Sequence, residues 1–248
     1  VHLLAEGAKT AVAVLLKGPV KDKHRDVAKA ALRSAGLAGL VLAPKEGTPE
    51  LFGNPVLRSP APLAPEVPLY GRPDAFAQAN AEGNAGLVGE AVGLLGARPA
   101  DRALELYCGN GNFTFALSKL CASVVAVESG RVSLELARRS AREARLSNVR
   151  FIEGDSRKMT EGLIAEGQRF DVLLADPPRA GAKGIGGWAR KLGVRTVVYV
   201  ACDPASLSRD AAELSASGYR PRTLRVVDMF PQTRHVEAVM SFTRAEGA

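Results

Sequence analysis

LELYCGNGNF, residues Leu104 to Phe113, joins an apolar strand-like run directly to a glycine-rich turn and the predicted start of a helix. Gly109 and Gly111 allow the backbone to approach a ligand closely, as in the nucleotide-binding turns of α/β folds. The third glycine of the dinucleotide fingerprint is missing, and Asn112 stands in the turn instead. The turn therefore predicts a nucleotide site and argues against NAD.

Downstream of this turn, short apolar runs alternate with longer amphipathic segments. This alternation is typical of a parallel sheet covered by helices on both faces. No helical segment separates the last two predicted strands, so they should be antiparallel neighbours at one edge. The predicted fold class is α/β, a mostly parallel Rossmann-like sheet with an antiparallel last strand. Strands are predicted at 102–106, 123–128, 149–152, 170–175, 195–200, 220–227 and 236–242, and helices at 76–95, 131–145 and 205–216.

Upstream of the turn, prolines dominate the stretch between residues 54 and 73. Because proline lacks the backbone N–H, they exclude a continuous helix or a central strand, and the stretch is predicted to be an extended connector. The chain is therefore divided into a small N-terminal α+β subdomain, residues 1–72, with one helix near 26–34, and a second domain, residues 73–248. The prolines are Pro55, Pro60, Pro62, Pro65, Pro68 and Pro73.

Composition narrows the class of protein. A chain of 248 residues with 46% hydrophobic and 24% charged residues can bury a large core, which excludes a disordered or fibrous protein. The net charge of +7 weakly favours a polyanionic partner. Three cysteines are too few for a disulfide framework, a zinc knuckle or an iron–sulfur cluster, so no metal and a reducing cytoplasm are expected. No apolar run approaches the ~20 residues of a membrane span, so no membrane partner is expected.

Two carboxylates follow the next two predicted strands. Glu128 ends the first of them, seventeen positions after Gly111, where a carboxylate can accept hydrogen bonds from both hydroxyls of a ribose. A ribose without a pyrophosphate indicates S-adenosylmethionine. Asp155 follows the second strand and is expected to reach the adenine amino group. Three successive strand ends thus supply the predicted cofactor contacts.

Further strand ends carry candidate reactive groups. A DPPR turn, Asp176 to Arg179, is similar to the DPP turns of base-methylating enzymes, with Arg179 in place of an aromatic residue. An arginine can bind phosphate bidentately or donate to a carbonyl oxygen. Cys202 follows the fifth strand at a predicted helix N-terminus, which favours the thiolate. Glu237 opens the last strand, where a carboxylate base could share a pocket with Cys202. The other two cysteines, Cys108 and Cys121, are interpreted as inert apolar residues.

Residues 73–242 resemble the S-adenosylmethionine-dependent RNA 5-methyluridine methyltransferases, which modify tRNA and 23S ribosomal RNA. The motifs that carry the resemblance are FAQAN at 76–80, YCGNGNF at 107–113, DPPR at 176–179, CDP at 202–204 and HVE at 235–237. The resemblance implies a class I methyltransferase fold, S-adenosylmethionine as cofactor and structured RNA as partner, and it leaves the oligomeric state open. It implies cofactor contacts by Gln78, Tyr107, Gly109, Asn112, Glu128, Asp155 and Asp176.

The resemblance also implies roles in the reaction. Cys202 would attack carbon 6 of a uracil, carbon 5 would take the methyl group, and Glu237 would remove the carbon 5 proton. Asp176 and Arg179 would contact the substrate. The family usually has asparagine where this chain has Asp203, whose adjacent carboxylate is expected to disfavour the Cys202 thiolate. Residues 1–72 are expected to be part of the family's central RNA-contacting domain. No iron–sulfur cluster is expected.

Two other functions remain open from the residues alone. Methylation of an exocyclic amine would need no thiol, and activity of a Cys202→Ala variant would support it. A catalytically idle RNA-binding or chaperone module could use the basic helix surface that includes Arg138, Arg139, Arg142 and Arg145. A charge run of this kind is more often simply a solvated helix face. Cofactor binding discriminates, because an idle module has no reason to keep a sulfonium pocket.

Overall fold

The computed structural model of the protein describes residues 1–78, 80–229, 231–233 and 236–245. The N-terminal part forms a four-stranded sheet of order β1-β2-β3-β4 with one helix packed on it. Ala28 of the helix meets Leu40 and Leu42 of the sheet in a small separate core. The elements are β1 (His2–Glu6), β2 (Lys9–Leu16), α1 (Asp22–Ser34), β3 (Gly39–Pro44) and β4 (Glu50–Gly53).

The proline-rich stretch is not the plain connector that the sequence predicted. It folds into an antiparallel hairpin of β5 (Leu57–Ala61) and β6 (Ala64–Gly71), with Pro60 opposite Pro68. A two-stranded hairpin tolerates proline because each strand has one edge that needs no ladder hydrogen bond. Val67 of the hairpin is fully buried against Phe115 and Ala141 of the second domain. The hairpin therefore packs on the second domain.

The second domain contains a seven-stranded sheet of order β12-β13-β11-β10-β7-β8-β9. The strands from β11 to β9 are parallel, and β13 is antiparallel to both β11 and β12. This topology confirms the predicted fold class. The elements are α2 (Ala81–Leu95), β7 (Arg102–Leu106), α3 (Thr114–Leu120), β8 (Ser123–Glu128), α4 (Arg131–Glu143), β9 (Val149–Glu153), α5 (Ser156–Ala165), β10 (Val172–Ala175), α6 (Ile185–Leu192), β11 (Thr196–Ala201), α7 (Pro204–Ala216), β12 (Tyr219–Val227) and β13 (Glu237–Arg244).

The inner strands of the sheet are apolar on both faces, and helices cover both faces, whereas the edge strand β12 is mostly exposed. Helices α5, α6 and α7 pack on one face around Leu104, Leu106 and Trp188. Helices α2 and α3 pack on the other, around Leu87 and Phe113. Double coverage explains why every residue of β10 and β11 is buried. In the described part of the chain, every helix is too short or too polar to cross a membrane.

The predicted start of one helix is wrong. The sequence pattern predicted a helix from residue 76, but α2 begins at Ala81. Asn80 is the N-cap that sets this start, because its side chain accepts a hydrogen bond from the backbone N–H of Gly83 at 2.9 Å. An asparagine that caps in this way satisfies an N–H that has no partner within the helix. The described residues of the FAQAN motif therefore form a loop that approaches the glycine-rich turn.

Candidate active site

The two glycines of the turn have different physical roles. Both have positive φ angles, +57° at Gly109 and +97° at Gly111. A side chain at Gly111 would lie 2.6 Å from the ring of Phe115, so this glycine permits the helix to pack closely. A Cβ atom at Gly109 would meet only open space. Gly109 therefore leaves the backbone accessible to a ligand.

Glu128 fixes this turn from the end of β8. One carboxylate oxygen accepts from the backbone N–H of Gly109 at 2.9 Å, and the other accepts from that of Gly130 at 2.6 Å. A carboxylate has about four lone-pair sites. The exposed Ser129 hydroxyl takes a third through a long hydrogen bond of 3.4 Å, so one site is free and a second becomes free if that hydroxyl turns away. Glu128 can thus hold the glycine-rich turn and still accept hydrogen bonds from ligand hydroxyls.

Asp155 lies at the end of β9 and caps α5. One of its oxygens accepts from the backbone N–H of Lys158 at 3.0 Å. Its charge also reaches Tyr107: burial raises the pKa of that phenol, and the charge of Asp155 raises the pKa further. Glu128 and Asp155 therefore flank the glycine-rich turn, at Gly109 and Tyr107 respectively.

A cavity of about 570 Å³ lies over the turn. Its walls include the proline-rich hairpin, the FAQAN loop and the turn itself, and sequence reasoning missed the contribution of the hairpin. The side chain of Asn112 is already paired with Asn84 through two hydrogen bonds of 2.8 Å, which joins the turn to α2. Five of the predicted cofactor residues line this cavity, namely Gln78, Tyr107, Gly109, Asn112 and Asp176.

The candidate reactive groups form an electrostatically coupled cluster at the carboxyl ends of β10 and β11. Glu237 is buried, and this burial raises its pKa. Burial, followed by the charge of Glu237, raises the pKa of Asp176 to about 7. Burial and the charges of Glu237 and Asp176 raise the pKa of the Cys202 thiol, while the charge of Arg179 lowers it. Two carboxyl groups and one guanidinium therefore act on Cys202.

Two expectations about the thiol are corrected. The position of Cys202 before α7 was predicted to favour the thiolate, but its pKa is raised, chiefly by burial. Asp203 was expected to be the opposing carboxylate. Instead, it caps α7 by accepting from the backbone N–H of Ser206 at 2.8 Å. The opposing charges come from Glu237 and Asp176.

Two residues of the quoted motifs, Ala79 of FAQAN and His235 of HVE, lie outside the described residues.

Asp210, which sequence reasoning missed, ties the DPPR loop to α7. The side chain is fully buried, and one oxygen accepts from the Tyr199 hydroxyl and from the backbone N–H of Ala182, both at 2.6 Å. The other oxygen accepts from Arg209, whose guanidinium also donates to the carbonyl of Ala180. Asp210 thereby joins the loop after Arg179 to the strand that leads to Cys202.

Glu213, one turn further along α7, extends this connection. Its carboxylate accepts from the backbone N–H groups of Gly184 at 2.9 Å and Gly186 at 3.2 Å. Trp188 packs against Gly184 so closely that a Cβ atom there would lie 2.8 Å from the indole. Helices α6 and α7 therefore hold the DPPR loop from behind, and we call Asp210 and Glu213 the loop clamp.

Glu105, the fourth of the five residues of β7, is another residue that sequence reasoning missed. It is completely buried, and one oxygen accepts from the hydroxyl of Thr114 at 2.6 Å. Among the described residues, its other oxygen has no hydrogen-bond partner. Burial raises the pKa of Glu105 to about 8, although the Thr114 hydrogen bond opposes the shift. Beneath the glycine-rich turn there is thus a carboxyl group with an unsatisfied atom.

The sheet with its antiparallel β13, the glycine-rich turn and the cavity above it define a Rossmann-like methyltransferase domain. A tRNA (uracil-54, C5)-methyltransferase from Pyrococcus abyssi, solved with S-adenosyl-L-homocysteine, is similar with a TM-score of 0.72 and 23% identity, over 95% of this chain and 56% of that one. The tRNA m1G37 methyltransferase from M. jannaschii is similar with a TM-score of 0.60 and 14% identity, over 94% of this chain and 73% of that one. These similarities support the fold.

Sequence comparison then shows the family. The model of the tRNA (uracil-5-)-methyltransferase family matches residues 66–245, and the chain belongs to this family, which confirms the resemblance. A 23S rRNA (uracil(1939)-C(5))-methyltransferase, RlmD, from Alkalilimnicola ehrlichii is 40% identical over 218 residues, 86% of this chain and 48% of that protein. An RlmD from Shewanella is 42% identical over 185 residues, 74% of this chain and 40% of that protein. The chain thus spans about half the length of these relatives.

Proposed function

We propose that this chain is the catalytic part of an S-adenosylmethionine-dependent RNA methyltransferase that modifies carbon 5 of a uridine through a covalent adduct with Cys202. The observation that carries the proposal is the cluster of Cys202, Glu237, Asp176 and Arg179 beside the cavity over the glycine-rich turn. Family membership supports it.

The residues around the turn fit the cofactor. The open side of Gly109 leaves room against the backbone, and Glu128 can accept from two ribose hydroxyls once the long hydrogen bond from Ser129 is released. Tyr107, Gln78 and Asn112 line the cavity. Glu128 and Asp155 stand outside that lining, and Asp155, whose charge acts on Tyr107, would reach the adenine from beside it. When bound, S-adenosylmethionine supplies an electrophilic methyl group on a sulfonium.

Cys202 would begin the reaction. Carbon 5 of uracil is a weak nucleophile, and a covalent bond from the Cys202 sulfur to carbon 6 moves an electron pair toward carbon 5 and the ring carbonyl. In the free protein the thiol pKa is raised, so the thiol must pass its proton to a base when the substrate is in place. The ionised carboxylate of Asp176, whose pKa is about 7 and whose charge acts on the thiol, can accept this proton. The guanidinium of Arg179 already opposes the rise in the thiol pKa, and it can stabilise negative charge that develops on the ring.

Glu237 would complete the reaction. After carbon 5 has gained its methyl group, Glu237 takes the remaining proton from that carbon, and the electron pair expels the Cys202 sulfur from carbon 6. Burial raises the pKa of Glu237, which makes its carboxylate a stronger base than an exposed one. Asp176, with a pKa of about 7, holds a proton part of the time near neutral pH and can donate it to a uracil carbonyl.

A uridine in a structured RNA loop is the proposed target, because the base must leave its stack and a loop makes this least costly. The curated relatives act on 23S rRNA, and the solved relative acts on tRNA.

The test is to incubate the protein with unmodified tRNA or 23S rRNA and isotopically labelled S-adenosylmethionine, then identify labelled nucleosides by mass spectrometry. We expect label in 5-methyluridine. Label in an N-methylated base, or in none, would contradict the proposal.

Replacing Glu128 with Ala should weaken cofactor binding, measured by calorimetry. The change leaves two ligand hydroxyls and the backbone N–H groups of Gly109 and Gly130 without their acceptor. Lost hydrogen bonds of this kind cost about 1–3 kcal/mol, so the dissociation constant should rise about 5- to 150-fold. Glu128→Gln keeps one acceptor oxygen, so its cofactor dissociation constant should lie between those of wild type and Glu128→Ala. Glu161→Ala, at an exposed surface pair with Arg157, serves as the control and should bind normally. Unchanged binding by Glu128→Ala would refute the assignment.

A further inference from the structure

We propose that Arg220, Arg222 and Arg244 form a second RNA contact, a binding site for backbone phosphates at the end of the sheet opposite Cys202. We call this site the arginine cleft. The proposal rests on the proposed function and adds a surface that holds RNA outside the target nucleotide.

The cleft is built by the two antiparallel strands at the edge of the sheet. Tyr219 pairs with Arg244 and Arg220 with Thr243, and a register shift between Pro221 and Thr223 leaves Arg222 out of the pairing. The Arg222 guanidinium donates to the Thr243 hydroxyl at 2.6 Å, which fixes it beside the other two arginines. The resulting space is about 550 Å³ and is lined by Arg220, Arg222, Thr243, Arg244 and Ala245.

Among the described residues, the charge of the cleft has no compensating anion. The described part of its lining contains three guanidinium groups and no carboxylate. Within the ranges that the structure describes, none of these three arginines forms a salt bridge. Arg225, on the same strand, differs because it pairs with Glu90 at 3.6 Å. Three like charges that share one cleft repel each other, and an anion between them would relieve this repulsion.

Arg190 is a fourth cation at the same end of the sheet, and its charge acts on the Tyr219 phenol beside the cleft. The phenol of Tyr219 is buried and donates to the backbone carbonyl of Val194 at 2.7 Å. Burial raises its pKa to about 12, and the charges of Arg244 and Arg190 oppose this rise. Arg190, in the last turn of α6, therefore extends the positive field beside the cleft.

The chemistry and position of the cleft favour RNA phosphates. A guanidinium presents a planar fork of donors that matches phosphate oxygens, and clustered arginines are typical of phosphate recognition. In β13, Ala238 is paired beside Ala201, next to Cys202, whereas Thr243 is paired beside Thr196 at the far end of β11. Seven residue steps of about 3.3 Å separate Glu237 from Arg244, or about 23 Å. A flipped nucleotide does not span this distance, so the cleft would bind flanking RNA.

The test compares wild type with a triple variant, Arg220→Gln, Arg222→Gln and Arg244→Gln. RNA affinity is measured at several salt concentrations, with a long substrate and with the shortest fragment that wild type methylates. Each lost phosphate contact reduces the slope of log affinity against log salt by about 1. For the long RNA, the slope of the triple variant should therefore be smaller in magnitude than that of wild type by about 2 to 3. Methylation of the short fragment should be unchanged. Arg225→Gln, on the same strand, is the matched control and should retain the wild-type slope.

The outcomes separate this proposal from the proposed function. An identical salt slope for the triple variant and wild type on the long RNA would overturn the arginine cleft, even if wild type methylates uridine normally. An equal loss of affinity on the short fragment, or an equal loss in Arg225→Gln, would also overturn it. Wild-type protein that neither binds nor methylates RNA would overturn both. Thermal unfolding of each variant confirms that the comparison is between folded proteins.

Discussion

Replacing Glu237 with Gln is expected to trap methylated RNA on the protein as a covalent adduct with Cys202 that survives a denaturing gel. The proposed base acts after the methyl group has reached carbon 5, when the Cys202 sulfur is still bonded to carbon 6. Glutamine keeps the shape of this buried side chain but cannot take the proton. Because general bases contribute about 10²- to 10⁴-fold, turnover should fall by that factor.

Cys202→Ala is the control for this experiment. Without the nucleophile, neither the adduct nor methylated RNA should form, and the double variant should behave like Cys202→Ala. Mass spectrometry of the trapped peptide locates the bond. Normal turnover by Glu237→Gln would remove Glu237 from the mechanism, and an adduct in Cys202→Ala would remove Cys202.

Replacing Asp210 with Asn is expected to slow catalysis without weakening cofactor binding. Asp210 accepts from the backbone of Ala182, from Tyr199 and from Arg209, and so sets the position of the loop that carries Arg179. Asparagine removes the charge, and the amide nitrogen that replaces one oxygen cannot accept, so Arg209 loses its ion pair and keeps only the hydrogen bond to the Ala180 carbonyl. Misplacing a reacting group by about 1 Å can cost 10²-fold in rate. We expect kcat to fall about 10- to 100-fold, with the cofactor dissociation constant unchanged.

Adduct formation in a Glu237→Gln background separates positioning from general destabilisation. Asp210→Asn should slow the appearance of the adduct in that background. Tyr199→Phe deletes one hydrogen bond to Asp210 and keeps the Ala182 and Arg209 contacts, so its effect should be smaller. The positioning role is wrong if Asp210→Asn forms the adduct at the normal rate. It is also wrong if the catalytic rate and the amount of cofactor bound both fall only in proportion to the fraction of protein that remains folded.

Local pattern was sufficient for most of the sheet. The predicted strands 102–106 and 123–128 coincide with β7 and β8, because a glycine-rich turn follows the first apolar run and Glu128 ends the second. The proline-rich hairpin was missed because proline argues against a central strand. That β5 and β6 pair with each other depends on the tertiary structure, which local sequence does not show. The predicted helix from residue 76 was too long because Asn80, a strong capping residue, was read as part of the helical pattern.

The site was predictable where a residue follows a strand and less so where it depends on packing. Gly109 and Asp176, which line the cavity, could be singled out from the sequence because they follow apolar runs. Glu105 was missed because nothing in its neighbours shows that both faces of β7 are covered. The raised pKa of Cys202 was missed because one of its causes, Glu237, lies 35 positions away and is brought near only by the pairing of β13 with β11.

The loop clamp has an optical consequence. Trp188, which packs on Gly184 behind the DPPR loop, is the single tryptophan of the chain. Its indole is only 6% exposed, and the Glu213 carboxylate holds the backbone on which it rests. Indole emission shifts with the polarity of its surroundings, so the tryptophan fluorescence, excited selectively over the four tyrosines, reports one place, the helix pair behind Arg179. A stopped-flow instrument can therefore follow rearrangement of that loop in unlabelled protein as RNA arrives.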